Sequence, residues 1–337
     1  MTTWIDALPT AHTAAAAAAP TANSAALTHG AVAVPLLHLG LLHAEGEDAK
    51  TFLHNLLSND VAKLPADGAQ WTSFNTPKGR MLASFLLWPD DTGYSLALAA
   101  DITPALLEKL QRYILRSKVK LTDASATRAL IGLIGPQAAA TLEKVGLPRP
   151  ATLLHQATND GVRVLHLSAD TCLLDLAVDR AADIFTALTQ AGAQAASSAS
   201  WQLAMIRAGI PLITAATQEA FVAQMLNYEL IGGVSFKKGC YPGQEIIARA
   251  QHIGEVKRRL YRLAFSTATA DALAPGAELV SGQDSVGTVV NAALLPDGSG
   301  EALAVIHKSC VNAGNEIFLG SPDGSRASVL DLPYALP

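Results

Sequence analysis

Lys238 and Cys240 stand two residues apart in a turn that also holds Lys237, Gly239, Tyr241, Pro242 and Gly243. A thiol becomes a nucleophile and a soft metal ligand when its pKa falls, and a neighbouring ammonium or a helix start lowers it. The same two features attract anions. The chemistry on offer is therefore sulfur chemistry or anion binding. What must position it can be read on either side of the turn. Gly232 and Gly233 lead into Val234 and Phe236, which predicts a short strand. Gly239 and Gly243 permit positive φ, and Pro242 holds Tyr241 extended. Gln244, Ile246, Ile247 and Ala250 then give an apolar helical stripe, with Gln244 and Glu245 in the first turn. Spacing alone leaves a second reading open, in which the thiol is a small half-buried hydrophobe and the lysines are a solvated turn.

Composition sets bounds. The chain has 337 residues, half of them apolar and 16% charged, enough for two or three subdomains around sizeable cores. A net charge of −5 argues against nucleic-acid binding over the whole surface. Locally, residues 237–262 carry Lys237, Lys238, Arg249, Lys257, Arg258, Arg259 and Arg262 against Glu245 and Glu255, where a polyanion could dock or a strand edge be solvated. Cys172, Cys240 and Cys310 lie far apart, which fits a reducing compartment and excludes a metal site built from cysteines alone. No apolar run is long enough to span a membrane, and the first Lys or Arg is Lys50, so neither a signal nor a transit peptide is expected. The protein reads as cytoplasmic.

Along the chain, residues 1–30 are Ala- and Thr-rich and read as a tail. A strand follows over 31–42. Ala49, Phe52, Leu53, Leu56 and Leu57 then mark an amphipathic helix with His54 on its exposed side, as a surface or capping histidine. Strands are expected over 71–76, 81–88 and 93–99, with the turn N-T-P-K-G-R at 75–80 between the first two. Thr103 and Pro104 open another helix. A second α+β pass covers 129–190, with Cys172 in its core. A helix at 201–209 ends before Pro211. Beyond 256, five or six short strands separated by Gly-containing turns read as a small antiparallel barrel. The expected fold class is α+β, with units at 31–125 and 126–255 and the barrel at 256–337.

The run S-F-K-K-G-C-Y-P-G-Q-E at 235–245 resembles the signature of the YgfZ-type folate-binding proteins, relatives of the glycine-cleavage T-protein (aminomethyltransferase). So do N-T-P-K-G-R-M at 75–81, R-S-K-V at 116–119, R-A-G-I-P at 207–211 with Phe221, Gln224 and Asn227, and L-P-Y at 332–334. The resemblance runs from about residue 30 to the end. It implies two interwoven α+β units and a barrel around a central opening that holds tetrahydrofolate. It further implies support of iron–sulfur cluster assembly or repair, with iron–sulfur client enzymes or assembly proteins as partners, tRNA-modifying enzymes among them, and no membrane.

Carried across residue by residue, the resemblance makes Lys238 and Cys240 the functional pair. Lys237, Gly239, Tyr241, Gly243, Gln244 and Glu245 shape their loop. The folate contacts expected from it are Asn75, Lys78, Gly79 and Arg80 on one side and Gln224 and Asn227 on another, with Arg116, Lys118 and Arg207 as further candidates. One departure matters. T-proteins carry an Asp-Asp pair where residues 82–85 here are Leu, Ala, Ser and Phe, and they lack the cysteine of the turn. Two other readings stay open: a folate-dependent aminomethyl or C1 transferase, which would consume an amine, and a tRNA-binding module using the 237–262 stretch, whose affinity would fall steeply with salt.

Overall fold

The chain enters through α1 (Ser24–His29) and β1 (Val32–Pro35), and the run expected as one strand over 31–42 breaks at Pro35. A computed structural model describes residues 4–8, 21–252 and 254–337. Proline lacks an N–H for a ladder and suits a strand end. Past it, residues 36–38 cross over, and β2 (Leu39–Glu45) joins a different sheet. Of the segment expected as a tail, residues 1–3 and 9–20 lie outside the described residues, while Trp4–Ala7 form a 3-10 turn with Ile5 and Leu8 buried in the core. Residues 21–30 are tied in: Asn23 Oδ1 accepts from the Ala26 N–H to cap α1, and Thr21 bridges Leu294 far along the chain.

After β2 come α2 (Ala49–Leu56), β3 (Gln70–Asn75), β4 (Met81–Pro89), β5 (Gly93–Ala99), α3 (Thr103–Gln111) and β6 (Lys120–Asp123). Their strands make a five-stranded sheet in the order β3-β4-β5-β2-β6. The second pass runs through β7 (Arg128–Ile134), α4 (Ala138–Lys144), β8 (Gln156–Asn159), β9 (Val162–Ser168), β10 (Thr171–Ala177), α5 (Ala181–Gln190) and β11 (Gln194–Ala195). These strands recruit β1 into a six-stranded sheet, β11-β1-β7-β10-β9-β8, so the two units interweave. A shared apolar layer joins the sheets, with Leu41, Leu86, Trp88 and Ala97 from one meeting Val32, Val34, Leu165 and Leu173 from the other. Within it the Trp88 Nε1–H donates to the buried Asp175 carboxylate at 3.3 Å, which Arg128 neutralises at 2.6 Å. A buried carboxylate needs such partners.

Helix α6 (Ser198–Arg207) ends at Gly209, whose φ of +67° lets the Ile210 N–H return to the Met205 carbonyl. Then an irregular stretch leads to α7 (Gln244–His252). The short strand expected at 234–236 is absent: the Gly233 N–H bonds to the Tyr228 carbonyl and the Ser235 N–H to Ser58, and no ladder forms. The chain as a whole is α+β as expected, and its C-terminal part is the expected antiparallel barrel, closed by six strands. These are β12 (Arg258–Phe265), β13 (Glu278–Ser281), β14 (Asp284–Leu294), β15 (Gly300–His307), β16 (Ile317–Leu319) and β17 (Arg326–Leu330), with α8 (Lys308–Asn312) after β15. No helix among the described residues is long and apolar enough to cross a membrane.

Candidate functional site

Two anchors fix the signature loop. Lys238 is 8% exposed, and its ammonium donates to the backbone carbonyls of His54 and Leu57 at the C-terminal end of α2. Those carbonyls lack helical partners and carry the negative end of the helix dipole, so a cation there is favourable. The same ammonium lies 4.9 Å from the ring centroid of buried Tyr241. Burial pulls the Lys238 pKa down to about 8, with Asp60 working in the opposite direction. Burial pushes the Tyr241 hydroxyl up to about 12. Between these anchors, Gly239 and Cys240 face outward, and Cys240 is an exposed free thiol. Lys238 therefore acts as the peg that holds the loop on α2. Lys237 and Glu245 are exposed and Gln244 is half-buried at the start of α7.

His54, expected as a surface or capping residue, packs against this loop. Its Nδ1 lies 3.3 Å from the Ala62 nitrogen and 3.3 Å from Asp60 Oδ1, which leaves Nε2 on the side of the loop. That Nε2 lies 4.0 Å from where a side chain on Gly239 would begin. Burial lowers the His54 pKa, with Lys238 adding to the effect and Asp60 opposing it. Nothing in the spacing of the sequence signals this meeting, which joins residues far apart in the chain.

The turn at 75–80 docks on the other side of the loop. A Cβ on Gly243 would stand 2.6 Å from both the Gly79 Cα and the Thr76 carbonyl oxygen, and Gly243 has φ +81°. One on Gly79 would meet Ile246 at 3.1 Å. The two expected segments are thus in backbone contact, which only glycines allow. Lys78 is exposed, and the Arg80 guanidinium donates to the Ala220 carbonyl. Asn75 is buried: its Oδ1 accepts from Ser73 at 3.2 Å, and its Nδ2 has no partner.

Gln224 and Asn227 serve the scaffold. The Gln224 amide donates to the Ile247 carbonyl at 2.6 Å and that of Asn227 to the Leu260 carbonyl at 2.9 Å, so they tie α7 and β12 to the short helical turn at 223–227. The basic stretch divides likewise. Lys237, Arg249, Lys257 and Arg258 are exposed, whereas Arg259 is buried in a pair with Glu229. Arg207 and Arg262 grip the two oxygens of buried Glu301, each at 2.7 Å. Lys118 pairs with Glu47 at 2.7 Å, and Arg116 is exposed.

A cavity of about 410 Å³ opens where the two sheets, α6 and the barrel meet. Its walls include Trp71, Phe85, Leu173, Trp201, Met205 and Ile210, with Asn291 and Ala292 from β14. The polar groups are few. Ser84 Oγ accepts from the Ile213 N–H at 2.9 Å. Asn291 is engaged on both sides by Leu212, at 2.8 and 2.9 Å, and Asp101 accepts from the Ala215 N–H at 3.0 Å. His38, on the crossover between β1 and β2, has both ring nitrogens shut off from solvent and without a partner. An apolar, aromatic-walled hollow with few polar groups is the usual make-up of a small-molecule site. None of the expected folate contacts lines it. It was missed because its wall residues read as core, and only the fold brings them to one hollow. Strand β4 links the two places: Ser84 lies three residues past Met81, roughly 10 Å along the strand.

The family model for the GCVT N-terminal domain matches residues 7–151. The tRNA-modifying protein YgfZ of Enterobacter sp. (strain 638) is 31% identical over 295 residues, covering 86% of this chain and 89% of its own. That of Serratia proteamaculans (strain 568) is 30% identical over 301 residues, covering 88% and 90%. Among solved structures, the glycine cleavage system aminomethyltransferase T from Bartonella henselae has a TM-score of 0.74 at 19% identity, over 91% of this chain and 87% of that one. At that identity the likeness speaks for the fold alone.

Proposed function

The chain belongs to the YgfZ family, and on that premise we propose that it binds tetrahydrofolate in the central cavity and assists iron–sulfur cluster assembly or repair through Cys240, in support of tRNA-modifying enzymes. The observation that carries this reading is the cavity itself, with its tryptophan walls. A pterin is flat, with a hydrogen-bonding edge. Trp71 and Trp201 offer faces for the ring, and the hollow is within the size range of ligand pockets. When bound, tetrahydrofolate supplies a reduced pterin that can carry a one-carbon unit.

The protein's own groups favour an accessory role over aminomethyl transfer. On the segment where T-proteins carry their carboxylate pair, the residue lining the cavity is Ser84, and its hydroxyl already accepts from the Ile213 N–H. The exposed thiol points to a different chemistry. Cys240 is held outward between two buried anchors, so it can reach a partner's surface. One thiolate offers one of the four ligands an iron–sulfur cluster takes, which suits handling a cluster in transit. A folate bound beside Ser84, midway along β4, and the turn at 75–80 that leads into the strand give a route by which ligand binding orders the loop.

The test is a strain lacking its own YgfZ, supplied with wild type or Cys240→Ser, with modified nucleosides in its tRNA measured by mass spectrometry. Wild type is expected to restore modification and Cys240→Ser to lose most of it. Full restoration by Cys240→Ser, at equal protein level, would remove the thiol from the account.

A further inference from the structure

We infer that the Gln202 amide reads the lactam edge of the ring bound in the central cavity, a step that rests on the folate reading of that cavity. The wall's polar side chains single it out. His38 has both ring nitrogens sealed from solvent, out of reach of any ligand. Ser84 holds the Ile213 N–H, Asn291 spends its amide on both sides of Leu212, and Thr214 closes a reciprocal cap with Thr217. Asp101 is exposed, takes the Ala215 N–H and can only accept, and the indoles of Trp71 and Trp201 can only donate. Gln202 remains. It lines the cavity half-buried, its amide atoms are not sealed, and among the described residues it bonds to no protein group.

Helix α6 aims this side chain. Trp201, Gln202 and Met205 all line the cavity and fall within an arc of about 100° on the helix, while Ala199, Leu203 and Ile206 pack into the core on its other side. The rotation of the helix is fixed by its neighbour. A Cβ on Gly132 of β7 would stand 2.3 Å from Trp201 Cε3, so the indole packs on bare backbone there. A glutamine amide offers an acceptor and a donor side by side. A lactam, an N–H next to a C=O within a ring, is the complement of that pair, and a reduced pterin carries one. An apolar ring would strip water from the amide and return nothing, which costs affinity. A ring edge that only accepts or only donates would satisfy half of it.

The experiment titrates tetrahydrofolate, and separately tetrahydropterin (the ring without its tail), into the full-length wild type and Gln202→Met, followed by quenching of tryptophan fluorescence. Methionine keeps the length and helix preference of glutamine and removes only the amide. Gln202→Met is expected to bind both compounds roughly tenfold more weakly. Without ligand it is expected to melt within about 2 °C of wild type, because the amide holds no protein group. Equal binding of tetrahydrofolate by the two proteins would overturn the inference while leaving the folate reading intact. A loss confined to tetrahydrofolate, with the bare ring bound alike, would put Gln202 on the tail and overturn it too. So would a larger fall in the ligand-free melting temperature, which would show that the amide serves the fold. If wild type binds neither compound, the folate reading fails, and the inference with it.

Discussion

Lys238 and Cys240 sit two residues apart and do opposite things. The lysine is turned in, onto the carbonyls that end α2, and the cysteine is turned out. Their residue types were legible in the sequence, as a thiol and a cation in a tight turn. Their division of labour was not, because the carbonyls come from residues about 180 positions earlier. His54 was illegible for the same reason: it is a lone histidine in its own segment and gains meaning only from the loop that packs on it. The peg makes a pH prediction. Lys238 is held at about 8 against an ordinary 10.5, so between those values the unfolded chain binds more protons than the folded one, and stability rises with pH. Below pH 8 both states carry the charge and the penalty for burying it is constant. Denaturant melts at pH 7, 8, 9 and 10 are therefore expected to show wild type gaining on Lys238→Met from pH 8 upward. Parallel curves for the two proteins would contradict the burial of that charge.

At the scale of elements, the turn at 75–80 and the loop at 239–243 fit because Gly79 and Gly243 let two backbones touch. The sequence marked both as turns from their glycines and prolines, and it marked α2, α6, α7 and the hairpins from their periodicity. It could not mark that the turns meet, since periodicity speaks of one element's buried face and not of its partner. It also misread two strands. Residues 31–42 are apolar apart from His38, and that run concealed a change of sheet at Pro35. Val234 and Phe236 alternate like a strand, but neighbouring chain offers them no ladder. Gly243→Ala tests the contact. Its Cβ would press on backbone atoms at 2.6 Å and sit at φ +81°, so a loss of about 1–3 kcal/mol is expected in chemical denaturation. Cys240 in that variant should also label with a thiol reagent at a changed rate, because its loop loses a support. An unchanged stability would mean that the turn and the loop are not in contact.

In the whole molecule, two interwoven sheets and a barrel surround one hollow, and the chain's last turn helps to close it. The Tyr334 hydroxyl donates to the Gly209 carbonyl at 2.8 Å, next to Ile210 and Pro211 in the cavity wall, while Glu301 clamps α6 to the barrel through Arg207 and Arg262. The α+β class and the terminal barrel were legible from alternation and turn spacing. The hollow was not, for its walls are ordinary core residues contributed by every part of the chain. Tryptophan 201 illustrates this: it reads as the buried face of a helix, and it is also a wall of the cavity. The most direct test of the account is calorimetric titration of tetrahydrofolate into wild type, Trp201→Ala and Cys240→Ala. The account predicts that wild type and Cys240→Ala bind alike, whereas Trp201→Ala, still folded, loses at least tenfold in affinity, about 1.4 kcal/mol. Undiminished binding by Trp201→Ala, or loss of binding in Cys240→Ala, would contradict it and move the ligand from the central cavity to the signature loop.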